Sequence, residues 1–227
     1  MKRSEINAIL QSAQDFFDAH QFRLPRWAAW SPADWQANQR DCREIFDCQL
    51  GWDITDFGSD DFAQRGLTLF TVRNGRLGAH ASTYAKSYAE KIMVVGDQQE
   101  TPTHFHFHKA EDIINRGGGR LVLQLWNSDT AGGKATTPVL ANIDGIVRTI
   151  EAGGYVRIEP GESICLTRGL YHRFLGEGRV LVGEVSQVND DHTDNRFFEP
   201  IGRFPSIDED ETPWRLLVSD YATRVAG

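Results

Sequence analysis

The stretch His104-Phe105-His106-Phe107-His108-Lys109-Ala110-Glu111 constrains this 227-residue chain more than any other. Three of its seven histidines fall within five residues. On a strand, alternate side chains share a face. His104, His106 and His108 therefore point one way, and Phe105 and Phe107 the other. Two imidazoles two residues apart on a rigid strand can hold one metal ion, and a nearby carboxylate supplies a further ligand. Glu111 breaks the parity. A turn at Lys109-Ala110 restores it and puts Glu111 at the start of a returning strand. The triple glycine Gly117-Gly118-Gly119 is expected to end that strand.

A second segment answers the first. The run from Gly161 to His172 reads as strand, turn, strand and delivers one more histidine. The two segments together resemble the paired motifs of the cupin superfamily. The first motif is matched by His104, His106, Glu111 and Gly118, and the second by Gly161, Gly169 and His172. Thr167 stands where proline is usual in the second motif, and Gly176 where asparagine is usual. Over its whole length the chain is similar to the bacterial D-lyxose isomerase family, which are cupin sugar isomerases. That resemblance implies an all-β cupin jelly-roll barrel and one divalent metal ion per chain, with Mn²⁺ favoured. The implied ligands are His104, His106, Glu111 and His172. The implied reaction is D-lyxose to D-xylulose, with D-mannose and D-fructose as a secondary pair.

The rest of the chain fits a barrel with extensions. Short apolar runs separated by turn residues place strands at Leu67–Val72, Glu90–Val95, Thr103–Phe107, Glu111–Asn115, Arg120–Trp126, Val139–Ile143, Tyr155–Ile158, Ser163–Leu166, Tyr171–Leu175 and Arg179–Val185. Asn74-Gly75 is a hairpin signal. Ser4 can cap a helix running to about His20, with Ile6, Ile9, Leu10, Ala13, Phe16 and Phe17 at helical spacing. Ser31-Pro32 starts a second helix. Residues 1–58 are expected to be a helical extension, 59–186 the barrel with the metal site, and 187–227 an extension over the barrel mouth. The net charge of −8 argues against a nucleic-acid partner. No apolar run reaches the roughly 20 residues that span a bilayer. Three cysteines without zinc spacing suit a reduced, cytoplasmic protein. The aromatic N-terminal half offers apolar surface for a homodimer.

For the chemistry, Lys109 stands beside the ligand cluster, and a lysine near a dication has reason to lose its proton more easily. Lys109, Glu111 and Glu184 are the candidates for moving a proton between two carbons. Asp190, Asp194, Arg196 and Arg203 follow the last strand and are candidate sugar contacts. The 189–203 stretch carries more acid than base, so a free sugar is expected rather than a phosphosugar. Two other classes use the same ligands: a cupin dioxygenase, and a sugar-binding cupin without catalysis.

Overall fold

The computed structural model describes residues 1–78, 83–202 and 206–224. The strands are β1 (Gly51–Thr55), β2 (Leu67–Arg73), β3 (Tyr88–Val95), β4 (Glu100–His106), β5 (Glu111–Asn127) and β6 (Val139–Ile143). They continue with β7 (Ile146–Ile150), β8 (Tyr155–Ile158), β9 (Ser163–Leu166), β10 (Leu170–Gln187) and β11 (Asn195–Phe197). All of them pair antiparallel. The long strands β5 and β10 serve two layers. Their 111–118 and 180–187 halves lie in the order β1-β2-β3-β10-β5-β9-β6-β7, while their other halves join β11-β4-β10-β5-β8. Met93 and Ile113 of one layer meet Leu121, Leu123 and Phe174 of the other in one buried cluster. This is the expected cupin jelly roll.

The triple glycine does not end a strand. β5 runs through it, and the β5–β10 register slips between Glu177 and Val180 and again between Leu181 and Val182. Gly118 has φ +88°, and a Cβ there would sit 2.3 Å from the Arg179 carbonyl oxygen. Only glycine permits this approach, and the bulge lets both strands bend from one layer into the next.

Helix α1 (Arg3–Ala19) lays Ile6, Leu10, Ala13 and Phe17 on Trp52, Phe70, Ile92, Val94 and Leu181, the outward face of the first layer. Burying each such large side chain contributes about 1.5–3 kcal/mol. β2 is therefore buried on both faces over Leu67–Thr71. The cap differs from expectation. Lys2 is the N-cap and its N–H donates to Glu5 Oε2 at 2.9 Å. Ser4 instead donates to Asp210, through N–H at 2.9 Å and hydroxyl at 2.7 Å. Fully buried Arg3 pairs with Glu209 at 2.7 Å and Asp220 at 2.8 Å. Helix α2 (Pro32–Asn38) starts as expected, with Ser31 Oγ accepting from the Asp34 N–H.

Three strands go beyond the sequence reading: β1, β7 and β11. Residues 1–58 thus supply a strand as well as helices. Asn74-Gly75 is not a two-residue hairpin. Asn74 Nδ2 donates to the carbonyls of Cys48 (3.3 Å) and Asn189 (2.9 Å), pinning the segment that leaves β10.

Candidate active site

Three elements converge at one end of the barrel interior. β4 turns His104 and His106 inward, β10 brings His172 directly opposite His104, and β5 opens on Glu111. All four are buried. The three histidines offer nitrogens within 4.8 Å of one another. Glu111 Oε1 stands 3.2 Å from His106 Nε2 and 3.4 Å from His172 Nε2. Metal bonds of about 2.0–2.2 Å put neighbouring ligand atoms at about this separation.

Two of the imidazoles are oriented by their own strands. His104 Nδ1 lies 2.8 Å from the Pro102 carbonyl, and His172 Nδ1 lies 2.9 Å from that of Leu170. A ring that donates from Nδ1 keeps its lone pair on Nε2. His172 Nε2 is buried and has no hydrogen-bond partner. Such an orphan costs about 1–3 kcal/mol, and a cation at that point removes the cost. Burial pushes His172 down to about 4. Burial and then the neighbouring imidazoles hold His104 well below the usual histidine range. Both rings are thus neutral at neutral pH. Burial alone would raise the Glu111 carboxyl, but Lys109 and then His106 outweigh it and hold it well below the usual range. Neutral imidazoles with an ionised carboxylate suit a divalent transition metal.

A second polar cluster flanks the first. Lys109 Nζ donates to Glu111 Oε2 at 2.8 Å, Glu184 Oε1 at 2.7 Å and Asn189 Oδ1 at 2.9 Å. Glu184 is buried, faces Lys91 across the β3–β10 register, and has Oε2 3.7 Å from Lys91 Nζ. Lys91 also lies 3.5 Å from Asp191 and donates to Asn189 Oδ1 at 2.7 Å. Burial would lower Lys109, but Glu111 and then Glu184 overcome it, and its pKa is raised. Without an ion at the histidines, the two carboxylates favour the ammonium form of Lys109. Thr101, Asn195 and Phe197 complete the lining with Leu69, Met93 and Phe174.

The remaining candidates lie differently. Asp194 sits under the 107–110 turn, accepting from the N–H of His108 (2.6 Å) and of Lys109 (3.1 Å). It holds the turn that presents Lys109. Asp190 accepts from His192 and Thr193 in its own loop. Arg196 pairs in register with Phe105, on the opposite face of the sheet from His104 and His106, and its guanidinium lies 5.8 Å over the Phe105 ring. The alternation of side chains across β11 turns Arg196 out and Asn195 in. Arg203 is outside the described residues. His108 is exposed at the turn. Sequence reasoning missed Lys91, Asp191, Asn195 and Thr101. The usable signal was Lys91 directly before the apolar run Ile92–Val95, 93 positions from the Glu184 it faces.

Comparison with known proteins agrees with this picture. The family model described as D-lyxose isomerase matches residues 1–221. A D-lyxose/D-mannose isomerase of Serratia proteamaculans is 54% identical, with all of both chains covered. One of Escherichia coli O157:H7 is 52% identical, covering 97% of this chain and 98% of that protein. Among solved structures, an L-ribose isomerase variant of Acinetobacter sp. DL28 in complex with L-ribose has a TM-score of 0.60 at 15% identity, covering 92% of this chain and 98% of that one. The L-ribose isomerase of Cellulomonas parahominis gives the same values. At that identity these two show the fold alone. The match over residues 1–221, with relatives above half identity along their full length, places the chain in the D-lyxose isomerase family.

Proposed function

We propose that this chain is an aldose–ketose isomerase that interconverts D-lyxose and D-xylulose, with D-mannose and D-fructose as a secondary pair. The observation that carries the reading is a histidine–carboxylate cluster sharing one buried cavity with a lysine–carboxylate pair, Lys109 and Glu184. His104, His106, His172 and Glu111 would hold a divalent ion, with Mn²⁺ our assignment. That ion would supply Lewis acidity to adjacent C1 and C2 oxygens of an open-chain sugar.

The protein's own groups divide the proton work. Isomerisation takes a proton from C2 of the aldose and returns one to C1. Glu111 is committed to the histidines and Lys109 is held as an ammonium, which leaves Glu184 as the base. Lys109 keeps a proton available to oxygen and, with Ser186 Oγ at 2.9 Å, orients the Glu184 carboxylate. The apolar wall of Leu69, Met93 and Phe174 excludes water while the proton is in transit. The two buried lysine–carboxylate pairs favour a sugar over the apolar substrate that an oxygenase site would take. Incubating metal-loaded protein with aldopentoses and aldohexoses, and detecting ketose, tests the reading. Absence of ketose from D-lyxose and D-mannose rejects it.

Two further outcomes belong here. The protein should bind about one divalent ion per chain, and turnover should stop on chelation and return with Mn²⁺. Full turnover by metal-free protein contradicts the assignment. Phosphorylated sugar should be the poorer substrate. Lys109 and Lys91 are already matched by Glu111, Glu184 and Asp191, and Arg173 is bonded to Glu100 at 2.6 Å. Among the described residues lining the histidine cavity, no cation is left over for a dianion. kcat/KM for mannose 6-phosphate should be at least about tenfold below that for mannose. The reverse order would point to a phosphosugar enzyme.

We assign residues 187–202 to closing the barrel mouth, because β11 pairs with β4 beside the histidines, whereas Asp208–Asp220 pack on α1 and β1 instead. A homodimer and a cytoplasmic location complete the reading. The N-terminal apolar residues are spent inside the chain. The exposed Leu140, Ile146 and Val147 of the β6–β7 hairpin are the better dimer surface.

A further inference from the structure

β4 carries a local irregularity whose effect is chemical. His172 of β10 pairs with His104, and Phe174 pairs with Thr101. Two steps on β10 therefore span three on β4, which is a bulge. Residues 172 and 174 share a face, so the bulge turns Thr101 and His104 to one face although they are three apart. Without the extra residue, Thr101 would point out of the barrel while the histidines pointed in. With it, Thr101 lines the cavity beyond His104.

The Thr101 hydroxyl is then in an expensive position. The residue is 3% exposed, and Oγ1 has no hydrogen-bond partner among the described residues. Asn195 Oδ1, on the β11 side of the same cavity, is buried and without a partner too. Of the six such buried side-chain atoms among the described residues, four belong to Thr101, Asn195, His106 and His172. The deficit of hydrogen bonds is concentrated at this site. A valine has nearly the shape of threonine and would fill the position without that deficit. A hydroxyl aimed into a cavity and left unbonded by the protein is matched by a ligand that brings hydroxyls of its own.

We propose that Thr101 is a substrate-reading residue: its hydroxyl hydrogen-bonds a sugar hydroxyl beyond the two oxygens at the reacting carbons, and so helps select the sugar. This rests on the isomerase reading given above. Thr101 takes no part in the proton transfer. Its contact is made to the bound sugar chain and holds C1 and C2 against the reacting groups.

The test compares Thr101→Val and Thr101→Ser with wild type in the metal-loaded enzyme, through kcat/KM for D-lyxose and Tm. Valine keeps the branched shape, so the bulge should fold. Thr101→Val should lower kcat/KM by about threefold to tenfold, as expected for one lost hydrogen bond. The same change should raise Tm by about 2–4 °C, because an unpaired buried hydroxyl has been removed. Thr101→Ser should recover most of the lost kcat/KM. A packing residue would not show opposite signs in the two readouts. If Thr101→Val keeps wild-type kcat/KM while wild type is active, the inference falls and the isomerase reading stands. A fall in Tm with kcat/KM unchanged marks the hydroxyl as bound to a structural water and also overturns it. If wild type converts no aldose to ketose, the isomerase reading fails and takes this inference with it.

Discussion

In the His106→Ala variant, metal affinity should fall by at least about 100-fold, and isomerase turnover should fall with it. Loss of a group that merely orients a ligand already costs about 10–100-fold, and His106 is placed to be a ligand itself. Its Nε2 lies 3.2 Å from Glu111 Oε1, so the substitution also leaves that carboxylate facing a void. The fold should survive, because the barrel core of Leu121, Leu123, Ile113 and Phe174 does not include His106. Metal content after dialysis against buffered metal, set beside turnover, is the measurement. Wild-type metal content together with wild-type turnover would remove His106 from the ligand set.

Lys109→Met should separate chemistry from metal binding. The long apolar side chain fills much of the same space but cannot keep a proton near the substrate oxygens or orient Glu184. General acid–base groups contribute about 10²–10⁴-fold, and kcat should fall within that range. Metal content should stay near one ion per chain, since the three histidines and Glu111 remain. Stability should fall too, because removing one partner of a buried ion pair costs about 3–5 kcal/mol. Adding Glu184→Gln should restore part of that stability and none of the rate. An unchanged kcat in Lys109→Met would return this residue to a structural role.

The histidine cluster was legible because its signal is local. His104-x-His106 shares a face by the pleat alone, and one turn suffices to bring in Glu111. β6, β8 and β9 were legible for the same reason, each a short apolar run between turn residues. β7 was not, because its residues are exposed on both faces and give no alternation. The Asp144-Gly145 turn before it, with φ +50° and +82°, was the signal available. β1 lay hidden in a segment that reads as helical. The glycine triplet was read as a stop because glycine weakens strands, whereas here it is the bend that lets one strand serve two layers. The Lys91–Glu184 pair depends on the register of β3 against β10, which only the folded sheet sets. Arg196 was placed at the substrate by its position after the last long strand. One residue of parity in β11 turns it to the other face.

The clasp between Arg3 and the far end of the chain has a consequence for synthesis. Arg3 and Asp220 are 217 positions apart. The apolar stripe of α1 needs Leu181 and Leu217 as well as the earlier strands. At about 5–20 residues per second, the ribosome delivers those partners roughly 10–40 s after α1 emerges. Throughout that interval the first helix carries an uncovered Ile6-Leu10-Phe17 face and an unpaired cation. The packing of α1 is therefore completed only after Asp220 has left the ribosome, and this helix is a segment that a nascent-chain chaperone would need to cover while the barrel is still being made.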